Sequence, residues 1–207
     1  MQFGELLQAL FKLTRQQKTD FAIAMSYSPG EISKYISGSR LPPAARLEEF
    51  ISASAEYFAG SIWRQDKKDS LRIIFPIFRE FDSKAQLHAF LGHALYLAYA
   101  DSLQEDGRTQ YGIIRNELIL QGVENIYNHV VITLSNMVRI KKEIHVYMSM
   151  QFFLHYLARN NSALRDSIDG CSIHIHIMLN MTQARTILDL KGLDIMLSRW
   201  MYSSTMY

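Results

Sequence analysis

The chain has 207 residues, of which 48% are apolar and 20% charged, a composition typical of a globular protein with one large domain or two modest ones. It contains no run of about 18 uncharged apolar residues, and its start, M-Q-F-G-E-L-L, carries an acid where a secretory leader carries bases, so we expect a cytoplasmic protein without a membrane partner. The net charge of +2 is low for a protein that coats nucleic acid non-specifically, and the single cysteine, Cys171, excludes an internal disulfide framework.

Two helices are predicted at the N-terminus. The first runs from about residue 2 to residue 13, because its apolar residues recur on one stripe at helical spacing. The second runs from Gln16 to Met25, with Phe21 and Ala22 on its inward face. We expect the first helix to pack behind the second.

A third helix is predicted directly after a tight turn at Ser26. Ser28 is a favourable N-cap residue, Pro29 suits the first helical position, and Glu31 stands three residues after Ser28, which completes a capping box. Gly38 can take the left-handed conformation that ends a helix. The sequence therefore predicts two short helices joined by a turn, the layout of a helix-turn-helix.

This ordered pattern resembles the Xre/Cro-type repressor family. Its signature is an apolar residue followed by Ala on the first helix of the motif, a capped turn, Ile-Ser on the second helix, and then Gly-x-Arg-x-Pro. In this chain those positions are Phe21 and Ala22, Ser28, Ile32 and Ser33, and Gly38, Arg40 and Pro42. The resemblance covers about the first third of the chain and implies that the second helix of the motif enters the major groove of DNA, with a two-fold dimer reading two half-sites.

The resemblance also implies which residues contact DNA. Base edges are expected opposite Ser28, Pro29, Gly30 and Lys34, phosphates opposite Gln17, Lys18, Ser37 and Arg40, and Ser33 completes the set. Because Pro29 and Gly30 have no side-chain hydrogen-bonding group, direct readout should fall to Lys34, with DNA shape contributing the rest. The family often has Gln where this chain has Lys18, a departure that keeps a phosphate donor.

The N-terminal domain is predicted to end near Trp63. One or two closing helices after Pro43 would give a mainly α domain of about five helices over residues 1–63. The charged stretch 64–69 lacks apolar periodicity, and we interpret it as a linker. Residues 70–207 would then form a second, regulatory and dimerisation domain.

This second domain is predicted to be an α-rich α/β domain. Helices are expected at 71–80, interrupted by Pro76, at 83–103, capped by Ser83, and at 122–142, with a loop at 104–108. Alternating apolar and polar residues predict strands at 143–149 and 172–178, with a helix at 151–166 as a crossover long enough for parallel pairing. This unit resembles the opening of a phospholipase-D-like half domain, a fold that also serves as a sensor module, although no His-x-Lys-x₄-Asp motif occurs.

No catalytic or cofactor site is predicted. His174 and His176 share one face of a predicted strand, but no third metal ligand is visible in the sequence, so neither a metal nor another cofactor is expected. There is no phosphate-cradling glycine loop and no acid, base or nucleophile constellation. We therefore do not expect an enzyme, and an enzyme built on the α/β unit is the weakest alternative.

The sequence thus predicts a sequence-specific DNA-binding transcriptional regulator that binds operator DNA as a homodimer. The apolar stripe of the helix at 83–103 and the tail at 195–207 suggest a two-fold interface. Whether the C-terminal domain also senses a small-molecule or peptide effector stays open. The main alternative is a protein-interaction or sensor module whose helix-turn-helix no longer binds DNA, which the modest charge favours.

Overall fold

A computed structural model describes residues 1–77, 80–105, 122–149 and 171–178. Within these ranges the chain is α-rich, as predicted. The α-helices are α1 (Phe3–Thr14), α2 (Lys18–Ala24), α3 (Pro29–Ile36), α4 (Leu47–Arg64), α5 (Lys84–Glu105) and α6 (Val123–Val138), and the strands are β1 (Glu143–Ser149) and β2 (Ser172–Met178). Short 3₁₀ helices lie at Ala44–Arg46 and Asp69–Ile73. None of the helices in these ranges combines the length and apolarity needed to cross a membrane.

Phe21 on α2 lies at the centre of an aromatic core. Its ring centroid lies 5.1 Å from that of Phe11 on α1 and 5.2 Å from that of Phe58 on α4. Aromatic pairs at such distances add about 0.5–1.5 kcal/mol beyond the burial of their area. These contacts hold α2 against α1 and α4, and the predicted inward positions of Phe21 and Ala22 are confirmed because both are fully buried.

The chain divides into two compact units, and α5 belongs to the first, which contains Met1–Pro76 and Glu80–Asn136. This helix packs against α4 and α1. The buried Tyr99 hydroxyl donates to the Pro42 carbonyl at 3.2 Å, and the Phe3 N–H donates to the Ser102 hydroxyl at 2.9 Å. A long helix far from the N-terminus in sequence therefore completes the packing around α1.

The apolar stripe predicted on this helix is buried within the chain. Every residue of the stripe is at most 5% exposed: Leu87, Phe90, Leu91, Ala94, Leu95, Ala98 and Tyr99. The expectation that this stripe supplies apolar surface to a dimer interface is therefore wrong, because the surface is already used inside the protomer.

Residues 64–69, predicted to be a linker, are tied to the end of α1. The Gln65 side-chain amide donates to the Thr14 carbonyl at 3.1 Å, and the Lys67 ammonium donates to the Leu13 carbonyl, also at 3.1 Å. Because this stretch lies inside the first compact unit, the predicted two-domain layout is not confirmed.

One predicted helical region differs in the structure. A 3₁₀ helix at Asp69–Ile73 stands where a helix at 71–80, interrupted by Pro76, was expected, so that prediction is wrong for the described residues 71–77. The physical reason is Pro76, which disfavours helical backbone in the residue before it and lacks an N–H of its own. Up to residue 64 the structure has four α-helices and one 3₁₀ helix, in agreement with the prediction of about five helices.

The second unit contains the two strands, which pair in parallel as predicted. The register places Ile144 opposite Ile173 and His145 opposite His174. Three further predictions lie outside the described residues: the crossover helix at 151–166, the loop residues at 106–108 and the apolar tail at 195–207.

Candidate nucleic-acid interface

The start of α3 is closed by the predicted capping box. The Ser28 hydroxyl oxygen accepts the Glu31 N–H at 3.2 Å, and the Glu31 carboxylate accepts the Ser28 N–H at 3.2 Å and its hydroxyl at 3.0 Å. These bonds, led by the backbone N–H of Ser28, lower the pKa of Glu31. The carboxylate therefore stays ionised at neutral pH and places a negative charge at the N-terminus of α3.

The end of α3 is closed by hydroxyl groups. The carbonyl oxygen of Lys34 accepts hydrogen bonds from the Ser37 hydroxyl at 3.1 Å, the Ser39 hydroxyl at 3.3 Å and the Arg40 N–H at 3.3 Å. Gly38 has a φ of +74°, which confirms its predicted left-handed role. The helix is thus fixed at both ends by contacts that lie within a few residues.

All nine predicted DNA contacts lie on the surface: Gln17, Lys18, Ser28, Pro29, Gly30, Ser33, Lys34, Ser37 and Arg40 are exposed. Within the described ranges, the ammonium groups of Lys18 and Lys34 and the guanidinium of Arg40 make no hydrogen bond or ion pair. Three cations of this surface are therefore available to an anionic partner.

The hydroxyl groups of this surface are less available than its cations. Those of Ser28 and Ser37 are used in capping α3, and Pro29 and Gly30 carry no side-chain donor. Ser33 and Lys34 are the remaining polar side chains on the outer face of α3 in the predicted set. The nine residues therefore lie on or beside α2 and α3, within residues 17–40, and few of them are able to contact a base.

The inner face of α3 packs on α1 through a close backbone approach that the sequence analysis missed. Ile32 and Tyr35 are buried on this face. At Gly4, near the start of α1, an added Cβ would lie 2.7 Å from the Ile36 carbonyl oxygen and 2.9 Å from that of Tyr35. A glycine in the first turn of an apolar helix is a sequence signal for such an approach, although it does not identify the partner.

Arg46 is a further cation near this surface, and the sequence analysis missed it. Its guanidinium carbon lies 4.7 Å from the centre of the Tyr27 ring, in the turn between α2 and α3, and its Nε lies 3.4 Å from the Glu49 carboxylate. The hydrogen bond that the guanidinium donates to the Glu49 carboxylate is the main cause of the raised pKa of Arg46. No local sequence pattern links Tyr27 to Arg46, which lies 19 positions later, so this contact is visible only in the folded structure.

Positive charge is concentrated in this part of the chain. Residues 1–46 hold six Lys or Arg residues and three Asp or Glu residues.

Comparison of the chain with protein-family models, with curated proteins and with solved structures finds no match. The DNA-binding role of the surface therefore stays a prediction, supported by its own geometry and charge.

Proposed function

We propose that this protein is a sequence-specific DNA-binding transcriptional regulator of the cytoplasm and not an enzyme. The observation that carries the proposal is the short α2–turn–α3 segment, in which α3 is capped at both ends, buried on one face and exposed on the other. An α-helix presented in this way fits the major groove of B-DNA. The proposal agrees with the Xre/Cro-type resemblance of the same residues.

The charges of the segment support contacts with the DNA backbone. Lys18 is the first residue of α2, before α3, and Arg40 lies shortly after the end of α3. In sequence, the two cations therefore stand on either side of α3. Each phosphate that a Lys or Arg neutralises strengthens binding by releasing counterions and makes it more sensitive to salt. Phosphate contacts from these two residues would position α3 without selecting a sequence.

Base recognition is proposed for Lys34. It is the one long polar side chain at the predicted groove positions, and its ammonium makes no hydrogen bond or ion pair among the described residues. A lysine or arginine most often reads guanine through its O6 and N7 acceptors, with about 1–3 kcal/mol of discrimination for a good pair. Ser33 can accept from or donate to either kind of base, so it adds little discrimination.

We propose that operator binding requires a homodimer. One short helix with one main base contact would discriminate weakly among the many competing sites of a genome. Two copies that read half-sites about one helical turn apart would multiply the selectivity. The dimer surface must be sought away from the apolar stripe of α5, since that stripe is buried within the protomer.

A second candidate is a protein-interaction module that uses the same surface. Ile23 on α2 is 77% exposed and Glu31 holds a negative charge at the start of α3. Neither an exposed apolar side chain nor an ionised carboxylate makes a favourable contact with a DNA phosphate, whereas both can contribute to binding a protein. This reading requires that the segment binds no duplex.

Selection from a pool of random-sequence duplexes separates the two functions. The full-length protein should enrich a pair of related half-sites, and Lys34→Ala should weaken binding to the enriched site by roughly 1–3 kcal/mol and relax the preference at one base pair. Lys18→Ala and Arg40→Ala should weaken binding to all sequences and reduce the slope of log affinity against log salt by about one each.

The matched control is Lys12→Ala, which removes an exposed lysine of α1 outside the predicted set. This variant should keep both the affinity and the sequence preference of the wild type. A wild-type protein that enriches no sequence and binds random duplex no better than an inert protein would refute the DNA-binding proposal and favour the interaction module.

A further inference from the structure

Parallel pairing of β1 and β2 gathers four side chains of metal-binding type on one face of the second unit. His145 lies directly opposite His174 in the register, and Glu143 and His176 stand two residues away on the same face of their own strands. The sequence shows His174 and His176 without a third ligand. The missing partners, Glu143 and His145, are about thirty residues earlier and become neighbours only through the strand pairing.

The distances within this group suit a single metal ion. One carboxylate oxygen of Glu143 lies 3.1 Å from Nε2 of His174 and 3.3 Å from Nε2 of His145. Ligand atoms bound at about 2.0–2.1 Å to a tetrahedral Zn²⁺ lie about 3.3 Å from one another. One ligand atom from each of the three residues lies within 4.8 Å of the others. Small side-chain rotations would therefore close the three atoms around one ion without moving either strand.

His176 stands behind His145 in the position of a supporting partner. Its Nε2 lies 2.9 Å from Nδ1 of His145, on the side of that ring away from Glu143. A metal-binding histidine almost always donates its second ring N–H to an acceptor, which sets the ring's orientation and tautomer. The His176 ring is itself held by stacking on Tyr147, with 4.5 Å between the ring centroids. The arrangement thus includes three candidate ligands, Glu143, His145 and His174, and one positioning residue, His176.

We propose that Glu143, His145 and His174 bind a divalent transition-metal ion of the Zn²⁺ class, with His176 as a positioning residue. Imidazole nitrogens favour Zn²⁺, Cu²⁺ and Ni²⁺ over Mg²⁺ or Ca²⁺, which prefer oxygen ligands. The Glu143, His145 and His174 side chains are about half exposed, at 61%, 48% and 48%. A three-residue site of this openness leaves a fourth coordination position to water. The site lies outside the proposed DNA interface and does not depend on it.

The test uses the full-length protein after removal of metal with a chelator. Zn²⁺ binding is measured by calorimetry, and Co²⁺ is added separately because its visible ligand-field absorption is strong in four-coordinate and weak in six-coordinate sites. We expect one Zn²⁺ per chain and a four-coordinate Co²⁺ spectrum. His145→Ala, His174→Ala and Glu143→Gln should each reduce the Zn²⁺ affinity more than tenfold.

The role of His176 is tested with His176→Phe, which keeps an aromatic ring against Tyr147 but removes the nitrogen acceptor. This change should weaken Zn²⁺ binding by about 10–100-fold, as loss of an outer partner does, while the Co²⁺ spectrum stays four-coordinate. If stacking were its whole role, the affinity would not change. A spectrum that becomes six-coordinate would make His176 a ligand and overturn its assignment as a positioning residue.

A control variant separates this site from adventitious binding. His88→Ala removes a histidine of α5 that lies beside the Ser52 carbonyl, away from the two strands. His88→Ala should bind Zn²⁺ as the wild type does, and circular dichroism should show the same helix content in every variant. Absence of stoichiometric Zn²⁺ binding, or equal binding by His174→Ala and wild type, would overturn the proposal and leave the group as hydrogen-bonded surface residues.

Discussion

Two glycines in corresponding positions should respond in opposite ways to the same substitution. Gly4 and Gly30 are each the second residue of a helix, α1 and α3 respectively. Replacing either glycine with alanine should by itself raise the free energy of unfolding by about 0.5–1 kcal/mol, because alanine restricts the unfolded chain and has the better helix propensity. The two sites differ in what a new methyl group would meet, so tertiary contact alone should determine the sign of each change in stability.

At Gly4 the methyl group would meet backbone. The contacts at 2.7 Å with the Ile36 oxygen, 2.9 Å with the Tyr35 oxygen and 3.0 Å with the Gly38 nitrogen lie well inside ordinary van der Waals distance. Backbone atoms cannot rotate away, so α1 and the end of α3 must separate. Overpacking of this kind costs about 1–3 kcal/mol, and subtracting the propensity gain at the middle of both ranges leaves a net loss of roughly 1 kcal/mol.

At Gly30 an added Cβ has no atom within 4 Å, so the propensity gain should appear in full. For a chain of this size, 1 kcal/mol corresponds to roughly 2–4 °C in the melting temperature. Thermal unfolding of the full-length protein, followed by circular dichroism, should therefore show a decrease of about 2–4 °C for Gly4→Ala and an increase of about 1–4 °C for Gly30→Ala. A Gly4→Ala variant that melts at or above the wild-type temperature would refute the close approach of α1 to α3.

Three further changes test other contacts of the first unit. Ser28→Ala removes the acceptor of the Glu31 N–H and should lower stability by about 1 kcal/mol in chemical denaturation, whereas Ser28→Asp should retain most of it. Tyr99→Phe removes the buried hydrogen bond to the loop between α3 and α4 and should cost about 0.5–1.5 kcal/mol; an unchanged denaturation midpoint would contradict that bond. Burial, and then the neighbouring His129, lower the pKa of His93 from 6.5 to about 4. Between pH 6.5 and pH 4 the unfolded chain binds a proton at this histidine that the folded chain does not bind, so the protein should lose stability as the pH is lowered through this interval. The melting temperature of His93→Leu should therefore decrease less than that of the wild type between pH 6.5 and pH 4.

Local features of the chain could be predicted because each depends on residues a few positions apart. The capping box of Ser28 and Glu31 and the left-handed Gly38 occur as the spacing indicates. The hydroxyl of Ser83 accepts the Gln86 N–H at the start of α5, and the alternating residues of β1 and β2 form strands with the predicted bounds. Helix ends and strand faces are set by backbone groups within one turn or by a period of two, and both are visible in a single sequence.

Tertiary structure decided everything that joins distant residues. The burial of the α5 stripe, the approach of Gly4 to the end of α3 and the meeting of Glu143 with His174 each depend on a partner that no local spacing names. An apolar stripe needs to be buried, but the sequence does not say whether another helix of the same chain or a second protomer covers it. Likewise, a strand pattern shows which residues share a face, while the strand pairing and its register determine which side chains stand opposite one another.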